Sequence, residues 1–268
     1  MKRIYPFFLL TVFLIACTPQ KIVTTQQIQQ PGLVNDGKLF ASAFMQRAAE
    51  YHALCLQAYN IARWRLDEIL KQSSTKPKAI ITDIDETILD NSADEVHRDL
   101  QGKGFDPVEW NKWTAMAAAD TIPGAFSFLK YAASKNVEIF YITNRDEKDK
   151  EGTLKNLQKF NFPNADNAHL FVRQNTSSKE ARRQQVMADH DVVLLLGDNL
   201  ADFSSLYDNR KPMEERLKAT QELSAQFGNR FIVLPNPIYG DWESAMYQYK
   251  SLTPAQKDSA VKNLLKGY

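Results

Sequence analysis

The chain has 268 residues, 24% of them charged, and a formal net charge of +1. That length suits one large core, or a core with a small subdomain beside it. So balanced a charge excludes a basic face for tracking a long nucleic acid, and no run of like charges suggests an interaction tail.

At the N-terminus, Met1-Lys2-Arg3 gives a positive start, Tyr5 to Ile15 is apolar, and Leu14-Ile15-Ala16 leads into Cys17. This is the pattern of a secretory signal peptide. The apolar stretch falls well short of the roughly 20 residues that cross a bilayer. The tetrapeptide ending at Cys17 resembles the lipobox of bacterial lipoproteins. That resemblance implies removal of residues 1–16, lipid on the Cys17 sulfur and an acylated new amine. It also implies a protein of the cell envelope, and Thr18, where an inner-membrane retention signal would be acidic, favours the outer membrane. With Cys17 lipidated, Cys55 has no intrachain partner and reads as a buried core thiol. Residues 17–33, rich in Gln and Thr and closing near Pro31-Gly32, read as a flexible tether.

From Asn35 to Gln72, apolar residues recur near a 3.6-residue period, which predicts one long helix or two. Short β-branched or apolar runs follow at Lys78 to Asp83, Val137 to Thr143, His169 to Val172, Val192 to Asp198 and Arg230 to Leu234. Helical segments separate them at Pro123 to Ser134, Lys148 to Phe160, Ser178 to Asp189 and Met213 to Phe227. This alternation predicts an α/β fold, a parallel sheet in three layers, spanning residues 34–268. Thr253-Pro254 starts a last helix as N-cap and first-turn proline, and this helix is expected to join the N-terminal ones in a small helical subdomain.

In such a sheet the ligand site lies beyond the carboxyl ends of the strands. The first strand ends in Asp83-Ile84-Asp85-Glu86-Thr87, and the fourth in Gly197-Asp198-Asn199-Leu200-Ala201-Asp202. Alternating aspartates repel one another unless a cation or a shared proton compensates. Hard oxygen ligands of this kind suit Mg²⁺. His52, His97, His169 and His190 have no metal-ligand spacing, so they read as surface or packing residues.

These motifs, with Thr143 after the second strand and Lys179 ahead of the fourth, resemble the haloacid dehalogenase (HAD) superfamily. More narrowly, Asp-Ile-Asp-Glu-Thr, Tyr-Ile-Thr-Asn-Arg, Gly-Asp-Asn-Leu-x-Asp-Phe and Asn-Pro-x-Tyr-Gly-x-Trp-Glu resemble the class C acid phosphatases, the lipoprotein 5'-nucleotidase family. The resemblance runs from about Tyr51 to the C-terminus. It implies that Asp83 attacks phosphorus to give an aspartyl-phosphate, with Asp85 as acid and then base. It implies Mg²⁺ on the Asp83 and Asp198 side chains and on the main-chain carbonyl of Asp85, with Thr87 in support. Thr143 and the amide of Asn144 would donate to phosphate oxygens, Lys179 would neutralise charge, and Asp202 would orient Lys179 or a metal-bound water. Read without the resemblance, Thr143 and Asn144 could simply cap a helix, and Lys179 could be a solvated charge.

Residues 88–122 form an insertion carrying Phe105, Trp110, Trp113 and Thr114, enough for a small helical flap. Trp110 or Trp113, with Tyr239, is expected to stack on the base of a nucleoside 5'-monophosphate. Trp242 is expected to pack against the core. The reading is therefore a lipid-anchored phosphomonoesterase, able to pass phosphate to water or an alcohol, with a homodimer open. A surface lipoprotein that only binds nucleotides is the alternative.

Overall fold

The computed structural model describes residues 32–268. The expected leader at 1–16, the lipidation residue Cys17 and all but the end of the tether lie outside the described residues. No helix among the described residues is long and apolar enough to cross a membrane.

The first helical run is two helices. Ala48, with extended backbone at φ −82° and ψ 127°, separates α1 (Leu33–Arg47) from α2 (Ala49–Ile69). Next come β1 (Lys78–Thr82), β2 (Leu89–Asp90), α3 (Ser92–Asp99), α4 (Pro107–Met116), β3 (Asp120–Thr121) and α5 (Ala125–Ser134). The chain continues with β4 (Glu138–Ile142), α6 (Lys150–Lys159), β5 (Leu170–Phe171), α7 (Glu180–Asp189) and β6 (Asp191–Gly197). It closes with α8 (Met213–Glu222), β7 (Phe231–Val233), α9 (Asp241–Met246) and α10 (Pro254–Leu264). Helix α8 stops short of the expected Phe227, and a 3₁₀ turn over Ser224–Gln226 takes its place.

Five strands pair in the order β5-β4-β1-β6-β7, all parallel. Parallel sheets need cover on both faces, and strand residues alternate between them. Ile80, Ile139, Tyr141, Leu194 and Leu196 join Tyr59, Ala62 and Leu66 of α2 and Leu129 of α5 in one core. Their neighbours Ala79, Ile81, Phe140, Ile142 and Leu195 meet Val186 of α7 and Phe203 on the other face. The register slips between Ala79 and Ile80, so Val193 and Leu194 both face the first core. Cys55 is fully buried and free.

The terminal helices meet as expected: the amides of Leu33 and Val34 donate to the Asp258 carboxylate of α10 at 2.9 and 3.0 Å. Thr253 caps α10 in a reciprocal pair with Gln256. Helix α2, by contrast, belongs to the layer on the sheet, and the Tyr59 hydroxyl donates to the carbonyl of Thr87 at 2.5 Å.

The insertion folds as α3 and α4 between the antiparallel pair β2 and β3. It is fastened to α6. Asp149 accepts from Thr114 Oγ1 and Asn111 Nδ2, both at 2.9 Å, and Asn156 exchanges two hydrogen bonds with the backbone of Ala119. Gly152 makes that approach possible: a Cβ there would lie 2.7 Å from the Thr114 carbonyl carbon and 3.0 Å from Ala115 Cα. Overpacking of this kind costs about 1–3 kcal/mol. Gly152→Ala is expected to lower unfolding free energy in urea by that amount, and a loss within measurement error would mean that the flap is not seated on α6.

Candidate active site

The sheet order sets β4, β1 and β6 side by side, so their carboxyl ends meet at the middle of one edge. Thr82 pairs with Tyr141 on one side and Leu196 on the other, and the Asp83 amide donates to the Leu196 carbonyl at 2.9 Å. The loop after β1 wraps on the carbonyl of Ile84, which accepts from the amides of Ile88 and Leu89 at 2.9 Å. Ile84 is fully buried, and Glu86 takes a left-handed φ of 54°. Burying Ile84 turns its neighbours Asp83 and Asp85 toward the cleft.

Asp83, Asp198 and Asp202 each offer a carboxylate oxygen within 4.8 Å of the others. Lys179, just ahead of α7, lies 2.5 Å from Asp83 and 2.6 Å from Asp202. Asp202 folds back over Gly197, where a Cβ would come within 2.5 Å of the Asp202 Cβ, so only glycine leaves it room. Its second oxygen accepts the Asn199 amide at 3.0 Å. Asp198 accepts from Thr87 Oγ1 at 3.2 Å and from Asn236 Nδ2 at 2.8 Å.

These carboxylates are taken out of water beside one another. Burial and the charges of Asp202, Asp198 and Asp85 push Asp83 well above the usual carboxylate range, against the pull of Lys179. Burial and Asp202 push Asp198 up to about 7, although Asn236 and Lys179 favour its ionised form. For Lys179, burial disfavours the charge, but Asp202 and Asp83 outweigh it and raise its value. Burial and Asp85 drive Glu86 well upward toward its neutral form, and one of its oxygens has no hydrogen-bond partner.

Thr143 and Asn144 stand at the end of β4. Arg182 holds them, donating to the Thr143 carbonyl at 2.6 Å and to Asn144 Oδ1 at 2.8 Å, and ties them to the Ser178 carbonyl at 3.1 Å. The Thr143 hydroxyl accepts the Arg145 amide at 3.1 Å. Sequence, sheet and acid cluster thus agree, and the comparisons with known proteins decide the family. Residues 11–242 match the family described as HAD superfamily, subfamily IIIB (Acid phosphatase). The chain belongs to that family. It is also similar to the class C acid phosphatase from Bacillus anthracis, with 40% identity and a TM-score of 0.83, over 88% of this chain and 99% of that one. The tungstate-bound structure of the Bacillus anthracis class C acid phosphatase matches at 39% identity, a TM-score of 0.83 and the same coverage. The fold is that of the class C acid phosphatases, and the protein is a phosphomonoesterase.

The structure brings Asp83, Thr87, Lys179, Asp198 and Asp202 together through the contacts above, and Thr143 Oγ1 approaches the Asp85 carboxylate at 3.4 Å. The two flap tryptophans part company. Trp113 packs against the core and spends its indole N–H on Asn91 Oδ1 at 2.8 Å. Trp110 lies beside Phe105, with the guanidinium of Arg145 5.4 Å from its ring centre. Tyr239 is linked to the acids through Asn236, whose Oδ1 accepts the Ile238 and Tyr239 amides at 3.0 and 3.3 Å. Trp242 departs from the expected core role: it is 40% exposed, because its N–H donates to the Tyr239 carbonyl at 3.1 Å and holds the ring over Gly240 at the surface. Sequence reasoning missed Asn91, Arg145, Arg182 and Asn236. Arg145 and Asn236 lie inside the quoted family stretches; Asn91 and Arg182 carry no local signal.

The raised Asp198 gives a signed test. An unfolded aspartate titrates at about 4. Between roughly pH 4 and 7 the folded carboxyl keeps a proton that the unfolded chain has lost, so this stabilisation is complete below pH 4 and disappears as pH rises through 7. A divalent cation needs the bare carboxylate and gains in the opposite direction. The rise in Tm on replacing EDTA with Mg²⁺ is therefore expected to be larger near pH 8 than near pH 5, and to vanish in Asp198→Asn. A rise independent of pH and of that residue would remove Asp198 from the cation site.

Proposed function

We propose that this acid phosphatase is a lipid-anchored enzyme of the cell envelope that hydrolyses nucleoside 5'-monophosphates through an aspartyl-phosphate, with Mg²⁺ as cofactor. The observation that carries the mechanism is the buried Asp83 carboxylate against Lys179 at 2.5 Å, with Asp85 two residues on. The ammonium holds the nucleophile in place and lowers the cost of an anionic carboxylate there.

In the first step a carboxylate oxygen of Asp83 bonds to phosphorus while the ester P–O bond breaks, and the leaving oxygen takes the proton of Asp85. In the second, water gives a proton to Asp85 as its oxygen bonds to phosphorus, the Asp83–phosphorus bond breaks, and inorganic phosphate leaves. Thr143, Asn144 and Lys179 fit the role of donors to the phosphate oxygens. Tungstate, bound by the Bacillus anthracis relative, is an oxyanion of similar shape, which supports such a donor set here.

The residues fit a divalent cation. Among the described residues, Asp83, Asp85, Asp198 and Asp202 form ion pairs only with Lys179 and Arg145, with the charge of Arg182 also near Asp83 and Asp202, so four carboxylates meet three cations. Both oxygens of Asp202 are engaged, one by Lys179 and one by the Asn199 amide, whereas Asp83 gives only Oδ1 to Lys179, so the side chains of Asp83 and Asp198 with the Asp85 carbonyl are the fitting ligands. When bound, the ion neutralises phosphate charge so that one anion can approach another.

Nucleotide preference rests on Trp110 and Tyr239, since base stacking contributes roughly 1–3 kcal/mol. The Leu-Ile-Ala-Cys lipobox supports the anchor. A nucleotide-binding protein without catalysis would have no use for Asp85.

Phosphate release from AMP and from p-nitrophenyl phosphate by the chain lacking residues 1–17 tests the chemistry. Activity is expected to fall to background in EDTA and in Asp83→Asn; metal-independent turnover would sink the mechanism. Tyr239→Ala is expected to raise KM for AMP roughly tenfold and leave p-nitrophenyl phosphate nearly unchanged. An equal change for both esters would end the stacking assignment. In cells, Cys17→Ser is expected to move the protein from the detergent phase to the aqueous phase on partitioning, and retention in detergent would rule out the lipid anchor.

A further inference from the structure

Arg145 is 3% exposed, and each of its guanidinium nitrogens is engaged. Nε and Nη2 donate to Oδ1 of Asp85 at 3.0 and 2.7 Å, and Nη1 donates to Thr153 Oγ1 at 3.0 Å. Thr153 is fixed in turn by donating to the Asp149 carbonyl at 2.7 Å, on the stretch that seats the flap. Asn91 completes the set. Its Nδ2 donates to the same Asp85 Oδ1 at 2.8 Å, its Oδ1 accepts from Trp113 and from Arg145 Nη2, and its amide donates to Glu86 at 2.8 Å.

The two oxygens of Asp85 are therefore unequal. Oδ1 accepts three donors at 3.0 Å or less, two of them charged. Oδ2 meets only the long approaches of Arg145 Nε at 3.3 Å and Thr143 Oγ1 at 3.4 Å. An oxygen whose lone pairs are filled by charge-assisted donors has no room for a proton, and the other oxygen does. A guanidinium offers donors and no acceptor, so it orients Asp85 without taking its proton. Arg145 and Asn91 are each 3% exposed, so little water competes for these donors.

We infer that Arg145 is a positioning residue for phosphoryl transfer: with Asn91 it occupies Oδ1 of Asp85, so that Oδ2 alone exchanges the proton. Oδ2 gives that proton to the leaving oxygen as the ester bond breaks, and recovers one from the attacking water in the second step. The inference rests on Asp85 being the acid and base, as proposed above. A purely structural Arg145 would only neutralise a buried carboxylate, and its loss would slow every substrate alike.

Leaving groups separate the two. An alkyl phosphate needs its departing oxygen protonated, whereas p-nitrophenolate leaves with little help. The full chain and its Arg145→Lys, Arg145→Met and Asp85→Asn variants are compared by kcat/KM on both esters, with Tm as a check of folding. Lysine keeps the charge but lacks the fork that fills Oδ1. Both Arg145 variants are expected to lose about 100-fold on the alkyl ester, at least tenfold more than on p-nitrophenyl phosphate, with Arg145→Lys keeping a Tm close to the parent. An equal loss on the two esters, or parental activity in Arg145→Lys, overturns the inference if Asp85→Asn is itself selective against the alkyl ester. If Asp85→Asn shows no such selectivity, the acid-base reading of Asp85 falls, and the role of Arg145 with it.

Discussion

One ammonium group, that of Lys179, sits between Asp83 and Asp202 at 2.5 and 2.6 Å, and the site is built around this pairing. A parallel sheet with β4, β1 and β6 at its centre brings the polar ends of three strands to one place. There the carboxylates crowd together with little water, which would drive them toward their neutral acids. A neutral Asp83 would be no nucleophile. The start of α7, locked to the end of β4 by Arg182, supplies the counter-charge from the opposite side of the cleft. The fold thus sets a charge problem and settles part of it, and the remainder is a place where a divalent cation could bind.

Much of this was legible in the sequence because buried parallel strands write themselves plainly. Each is a short apolar run with no polar face, and the carboxylates at Asp83 and Asp198 stand where the run stops. The break at Ala48 was not legible, since no proline or glycine marks it and the apolar period continues through it. Trp110 and Trp113 could not be told apart either. They are three residues apart on one helix, and only the packing of α4 on α6 decides which ring leans on the core and which covers Arg145. Asn91 was silent for the same reason: an asparagine after a two-residue strand looks like a turn, and its four partners come from the loop after β1, from α4 and from the end of β4.

The flap is held by more than apolar contact. Asp149, Asn156 and the bare backbone at Gly152 fix α4 to α6, and Arg145 reaches α6 through Thr153. The aromatic wall of the cleft and the acid beneath it therefore share one support. On the proposed reading, the ring of Trp110 and the carboxylate of Asp85 are structurally coupled through Arg145, so changes in the flap reach both.

The hydrogen bond from Tyr59 to the carbonyl of Thr87 has a consequence for where the chain can be cut. Helix α2 comes early in the chain, yet it props the loop that carries Asp83, Asp85 and Thr87 from below. The start of α1 is itself tied to the last helix through Asp258. A cut before Leu33 leaves both ties in place. A cut beyond Tyr59 would remove the prop under that loop, so α1 and the first half of α2 separate a harmless trim from a damaging one.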